Sequence, residues 1–361
     1  MASGMYTSFR LGDMEIPNRL IASAMFEYGA DHGRITDKIK KHYERLAEGG
    51  AGLIITGMQA VCAAGSVAPV MVNTEYDGYV RDMKAIADAV HERGGRLIVQ
   101  LQHCGGKTCQ AEGYDRFAVC ETKVSETCRY HEATKEELQR TAAAFGASAL
   151  RCKEAGADGV QIHGAHGYLI NTFLSPSTNF RTDEYGGGIE NRARLLFEIY
   201  DAVREAVGKD YIVGVKFPFA DLKEPSIRPE ESLFACRELE KRGIDFLEMS
   251  AGMVMDLSSA SFTPAIRMEN QAPFLKYASL AAEEVSVPVI SVCGYRTPEA
   301  VEEALAKTKI AAVSFGRPLV REPDLPKRWK TDRGPAKCVS CNGCSRSFAD
   351  GILTCQMEKF S

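Results

Sequence analysis

Short β-branched runs alternate along the chain with longer amphipathic stretches. Eight of the runs read as strands: RLIAS (19–23), GLIIT (52–56), RLIVQL (96–101), GVQIH (159–163), YIVGVKF (211–217), DFLEMS (245–250), PVISV (288–292) and AAVSF (311–315). None shows strong polar alternation, the pattern of strands covered on both faces. Helical signals follow each run. Between 76 and 93, Tyr79, Met83, Ile86 and Val90 recur at intervals of four, three and four, one apolar helix stripe. Thr297-Pro298 and Arg317-Pro318 place proline in a first helical turn, and Gly94, Gly95 and Gly243 close helices. Eight strand-then-helix units predict an α/β fold, a (β/α)8 TIM barrel, over an open doubly wound sheet. No GxGxxG follows the first strand, which weakens the open dinucleotide-binding alternative further. The predicted division is a barrel over 1–332 and a cysteine-rich extension over 333–361. Three long loops, 102–133, 164–188 and 251–271, fall at the C-terminal ends of strands, the face on which barrels build active sites.

Composition changes this picture little. The 361 residues are 45% hydrophobic and 25% charged with a net charge of −4, so neither nucleic acid nor an anionic membrane is an expected partner. No apolar run is long enough to span a bilayer, and the first residues carry no signal pattern, so a cytoplasmic location is expected. Without a secretory signal, the 12 cysteines do not read as a disulfide framework.

The candidate chemistry starts where GVQIH ends. His163, His166 and Tyr168 leave the fourth strand together, in a chain with seven histidines. Residues three apart on a turn share a side, so two imidazoles can present N–H donors to one carbonyl oxygen. A phenol beside them can supply a proton. The same spacing also fits two hydrogen-bonded loop histidines or half of a metal site. Gln100 and Lys216 are polar residues inside strands, which suits a polar ligand in the barrel, an internal network or a solvated strand end. Gly294, Gly316 and Arg317 stand in the loops after strands seven and eight, where barrels hold phosphate.

The segment IHGAHGYLINTFLSP, followed by NFRTDEYGG and ENRARL, resembles the Old Yellow Enzyme family of flavin oxidoreductases. IPNRLIASAM, GAGLIITG, LIVQLQHCGGK and FGRPLVREPDLP extend the resemblance over 6–330. It implies a barrel holding FMN that takes hydride from NADH or NADPH and reduces an activated alkene, with an α,β-unsaturated carbonyl compound as substrate. By this match Ser23, Ala24, Met25, Gly57, Met58, Gln100, Lys216, Gly294, Gly316 and Arg317 contact the cofactor. His163 and His166 hold the substrate carbonyl, Tyr168 protonates the α-carbon, and Phe26 and Tyr28 edge the substrate. Relatives often carry Pro at Ala24, Cys or Thr at Phe26, and Arg at Lys216 and Gly106. The Phe26 difference removes a polar group that can tune the flavin, which leaves redox poise and substrate preference open.

Four cysteines crowd the tail: Cys338, Cys341, Cys344 and Cys355. Three at successive intervals of three with a fourth farther on suit a 4Fe–4S cluster; zinc and free or disulfide-linked thiols are the alternatives. The spacing is similar to that of the dienoyl-CoA reductase and trimethylamine dehydrogenase group. An amine dehydrogenase or N-demethylase is a second expectation, though it wants an aromatic cage and the chain has a single tryptophan, Trp329. A third is an electron-carrier subunit of a larger flavin and iron–sulfur system. The pattern leaves room for a homo-oligomer and for a separate electron-donor protein.

Overall fold

A computed structural model describes residues 4–107, 117–125, 128–253 and 270–360. Among the described residues, eight parallel strands close into a barrel. They are β1 (Leu20–Ala22), β2 (Leu53–Ile55), β3 (Leu97–Gln102), β4 (Gly159–His163), β5 (Ile212–Pro218), β6 (Phe246–Ser250), β7 (Val289–Val292) and β8 (Ala312–Phe315). Each pairs with the next, β8 pairs with β1, and the fold is the predicted (β/α)8 barrel. The outer helices that serve the argument are α1 (Asp37–Glu48), α2 (Tyr79–His91), α3 (Lys135–Glu154), α4 (Arg194–Val207), α5 (Pro229–Lys241), α6 (Leu275–Glu284), α7 (Pro298–Lys307) and α8 (Arg317–Arg321).

The predicted stripe of α2 is buried at all four positions. Thr297 caps α7 by accepting from the Ala300 N–H, with Pro298 at the first helical position. None of the helices among the described residues is long and apolar enough to cross a membrane. Parts of two long loops expected to shape specificity, 108–116 and 254–269, lie outside the described residues.

The N-terminal mouth of the barrel is filled. A hairpin, Phe9–Leu11 with Met14–Ile16, packs Phe9, Leu11 and Ile16 against Ile21, Leu53, Ile98, Ile212, Phe246, Ile290 and Ala312 from the strands. Gly214 has no room for a side chain, since an added Cβ would lie 2.2 Å from Phe246 Cε1. The open mouth is therefore the C-terminal one.

Candidate active site

One step up the same strands the interior turns polar. Glu248 on β6 accepts at Oε1 from Ser23 Oγ (2.7 Å) and Ser314 Oγ (2.6 Å). Its Oε2 accepts from Gln161 Nε2 (2.9 Å) and Lys216 Nζ (3.0 Å). Gln100 Nε2 donates to Gln161 Oε1 (2.6 Å), and Lys216 Nζ also reaches Ser23 Oγ (3.0 Å). Burial pushes the Glu248 carboxyl up, but the Lys216 charge and the hydroxyls of Ser314 and Ser23 outweigh it and hold it below its ordinary value. Sequence reasoning found Gln100 and Lys216 and missed Gln161 and Glu248. The signal was the same for all four: a polar residue inside an apolar strand.

Above this layer lies a cavity of about 230 Å³. Ser23, Ala24, Met25, Met58, Gln100, Lys216, Gly294, Gly316 and Arg317 line it, together with Phe26, Tyr28, His163, His166 and Tyr168. Of the residues assigned to the cofactor, Gly57 alone is not on this wall. It lies behind, where an added Cβ would be 2.2 Å from Glu27 Oε2. Its N–H donates to Glu27 Oε1 (3.0 Å) and to the Tyr43 hydroxyl (2.8 Å), which in turn donates to Glu27. Burial raises the Glu27 carboxyl to about 7 against the pull of these donors.

The far end of the cavity suits an anion. Cys293 and Gly294 both take left-handed backbone, φ +86° and +84°, at the end of β7. Gly316 leaves no room for a Cβ, which would meet Met25 Sδ at 2.6 Å. Arg317 donates to the Asn342 side-chain oxygen and to Ser340 O (3.4 Å), both neutral. Among the described residues no carboxylate pairs with it, so its charge is left for a ligand. Helix α8 is only five residues long, so the guanidinium and bare glycine backbone, more than a helix dipole, make this end attractive to phosphate.

On the other wall, His163 closes β4 beside Lys216 of β5. His166 follows at φ +67°, a tight turn that brings its ring 5.1 Å from that of His163 and edge-on. Tyr168 stands 5.3 Å from His163. Burial, then the charges of Lys216 and Lys107, hold His163 well below its ordinary pKa; His166 is held down by burial, His163 and the same two lysines. Both rings are neutral. His163 Nδ1 accepts from Ala165 N–H (3.2 Å), which leaves its proton on Nε2 as a donor. His166 Nε2 lies 2.7 Å from Ser250 Oγ. Lys107, not foreseen, donates to His166 O (2.9 Å) and sits 4.5 Å above the Tyr168 ring; burial lowers its amine to about 8. Burial pushes the Tyr168 phenol well above its ordinary pKa, so it stays protonated.

The tail returns to this site, which no sequence pattern announced. Leu353 N donates to Glu27 O (2.6 Å), and Ser340, Asn342, Cys344, Ser345 and Leu353 join the cavity wall. Cys338, Cys341, Cys344 and Cys355 together line a second cavity of about 220 Å³, with Arg317 between the two. Cys338, Cys341, Cys344 and Cys355 are free thiols, and among the described residues no three His, Cys, Asp or Glu side chains converge as a single metal ion would require. Trp329 is buried edge-on against Phe315 with its indole N–H on Gly334 O (3.0 Å), outside the cavity.

Comparison with known proteins agrees with this geometry. The chain is 32% identical to an NADH oxidase of Thermoanaerobacter brockii, over 98% of the chain and 56% of that protein. It is 33% identical to an NADPH dehydrogenase of a Geobacillus species, over 90% and 93%. A solved 2-naphthoyl-CoA reductase complex superposes with a TM-score of 0.88 at 25% identity, covering 98% of this chain and 56% of that one. The chain thus spans about half the length of the first curated relatives it matches. The family model described as NADH:flavin oxidoreductase / NADH oxidase matches residues 4–335, and the chain belongs to this family, that of Old Yellow Enzyme.

Proposed function

We propose that the chain is an FMN-dependent ene-reductase that uses NADH or NADPH to reduce the C=C bond of an α,β-unsaturated carbonyl compound. The observation that carries this reading is the pair of neutral imidazoles with a protonated phenol beside them, on one wall of a cavity whose floor is polar and whose end is cationic. Ser23, Ala24, Met25, Met58, Gln100 and Lys216 would hold the isoalloxazine, and Gly294, Gly316 and Arg317 the phosphate. FMN, when bound, would supply two-electron hydride chemistry between the nicotinamide and the alkene. His163 and His166 bind the carbonyl oxygen as neutral donors and stabilise the negative charge that develops there. Tyr168 holds its proton at the phenol oxygen for the α-carbon. Phe26 and Tyr28, with ring centroids 4.4 Å apart, wall the site.

The test replaces both histidines. His163→Ala with His166→Ala should keep FMN and its reduction by NAD(P)H, while 2-cyclohexenone turnover falls by at least about a hundredfold. Parent-like turnover in the double variant rejects the mechanism.

We further propose that the tail thiols bind a 4Fe–4S cluster, reached by a separate electron donor. The thiols ring a cavity, which suits a cubane better than a single zinc, whose four sulfurs would converge at about 2.3 Å from one ion. Anaerobic protein should carry about four irons per chain, lost in Cys341→Ser while FMN stays. Zinc without iron, or neither metal, refutes the cluster.

A further inference from the structure

Among the described residues no carboxylate lines the cavity, whereas three cations do: Lys216, Arg296 and Arg317. The two arginines stand at the end assigned to phosphate, and Lys216 belongs to the polar floor. Lys216 is 4% exposed, and two of its three N–H groups are spent on Ser23 Oγ and Glu248 Oε2, each at 3.0 Å. The third is left for a ligand. Glu248 lies beside it in register on the next strand, fully buried and one step behind the wall. Its Oε1 accepts from Ser23 and Ser314, and its Oε2 from Lys216 and Gln161, which carries the link on to Gln100. Ser23, Gln100, Lys216 and Ser314 all line the cavity, so one hidden carboxylate holds four side chains of the floor.

The charge of that carboxylate has a consequence for redox chemistry. Hydride carries two electrons and one proton, so it adds one negative charge to a flavin ring that starts neutral, while the nicotinamide leaves oxidised. A cation beside the ring favours the reduced form, and an anion paired with that cation takes part of the preference back. We propose that Glu248 is a positioning residue that sets the potential of the bound flavin: pairing with Lys216 from behind, it limits the charge that Lys216 presents to the cofactor and keeps the reduced flavin a strong hydride donor. The role rests on the flavin part of the reading above and not on the enone. Burial would favour a neutral Glu248, but Lys216 and the serine hydroxyls keep it ionised. Its isostere glutamine fits the same contacts. The amide carbonyl can face Lys216 and Gln161, and the N–H end the two hydroxyls, which can turn to accept.

The experiment equilibrates FMN-loaded protein anaerobically with a reference dye and reads the ratio of reduced to oxidised flavin, with no enone present. Glu248→Gln should shift that ratio about tenfold toward the reduced form, about 30 mV for a two-electron couple. Lys216→Met should shift it the other way, because the cation itself is gone. Opposite signs at the two ends of one contact follow from charge and not from lost packing. An unchanged or lowered ratio in Glu248→Gln, or a shift of the same sign in Lys216→Met, overturns the proposal. If the glutamine variant fails to fold, Glu248→Asp replaces it. The aspartate keeps the charge but withdraws it from Lys216 by one methylene, so a rise of about threefold is expected, and no rise overturns the proposal. Parent protein that takes up no FMN removes the flavin reading and the proposal with it. Bound FMN with one potential in every variant removes the proposal alone.

Discussion

Two layers of the barrel interior share the same strands and differ in everything else. In the lower layer Ile21, Ile98, Phe246 and Ala312 pack with the N-terminal hairpin. Two residues on, with the same inward parity, stand Ser23, Gln100, Glu248 and Ser314. The lower layer has no chemistry, yet its packing sets the strand register on which the upper layer's hydrogen bonds of 2.6–3.0 Å depend. The contrast teaches that a single strand face can be half core and half site.

The lower layer should fail hardest. Phe246→Ala opens a void in a sealed region, with Gly214 across from it too small to fill the space. We expect a loss of about 3–5 kcal/mol in urea unfolding. A loss under about 1 kcal/mol would mean that the hairpin closes the gap and that the layer is more plastic than its packing suggests.

The upper layer should be most sensitive to unpairing. Lys216→Met strands Glu248, fully buried, with only neutral donors, and a cost of about 3 kcal/mol is expected. Adding Glu248→Gln should recover most of that stability, because a neutral amide no longer needs the ammonium. If the double variant is as unstable as the single one, the two side chains matter separately and the pair is not the organising contact.

The barrel was legible because its signal is repeated eight times and local: apolar run, amphipathic helix, glycine or proline at the seam. Most of the site was legible because IHGAHGYLI is contiguous and leaves one strand. What escaped has a common cause. Glu248 and Gln161 meet Lys216 and Gln100 only when four strands come into register, and nothing near Glu248 in sequence names its partners. Gly57, expected at the flavin, lies off the cavity wall with Glu27, 30 residues earlier, packed against it. The tail was read for its thiols alone, and the contact of Leu353 with Glu27 exists only in three dimensions.

Acid should weaken the upper region selectively. His103 is held at about 4 by burial, and His163 and His166 well below their ordinary value. Below about pH 6.5 the unfolded chain takes up protons that these folded rings refuse, so stability falls as pH falls. Each contributes up to about 1.4 kcal/mol per pH unit. Glu27 acts in the opposite sense. Its folded carboxyl titrates at about 7 while an unfolded one waits until about 4.3, so folding gains there as pH falls. His42 is likewise held at about 4 by burial and the Arg45 charge; four rings against this one carboxyl set the sign, and the urea midpoint should be lower at pH 5.5 than at pH 7. A midpoint that rises on acidification would show that the rings are charged in the folded protein, which contradicts their role as neutral donors to the carbonyl.

The smallest effect separates the layers at a single atom. Ser314 and Ala312 are two residues apart on β8, one in each layer, and differ by one oxygen. Ser314→Ala removes one of two hydroxyl donors from Glu248 Oε1 and leaves the Ser23 bond in place. A bond to a charged acceptor contributes about 1.5 kcal/mol, and the remaining donor should limit the loss to about 1 kcal/mol. The variant should also raise the Glu248 carboxyl, since a donor that favours its charged form is gone. The lost stability should therefore shrink as pH falls toward the Glu248 titration, since the missing bond favours the charged carboxyl that protonation removes, in contrast to Phe246→Ala, whose cost has no charge in it and should be flat with pH. Equal pH dependence for the two variants would show that the upper layer is held by packing, as the lower one is, and that Glu248 does not organise it through its charge.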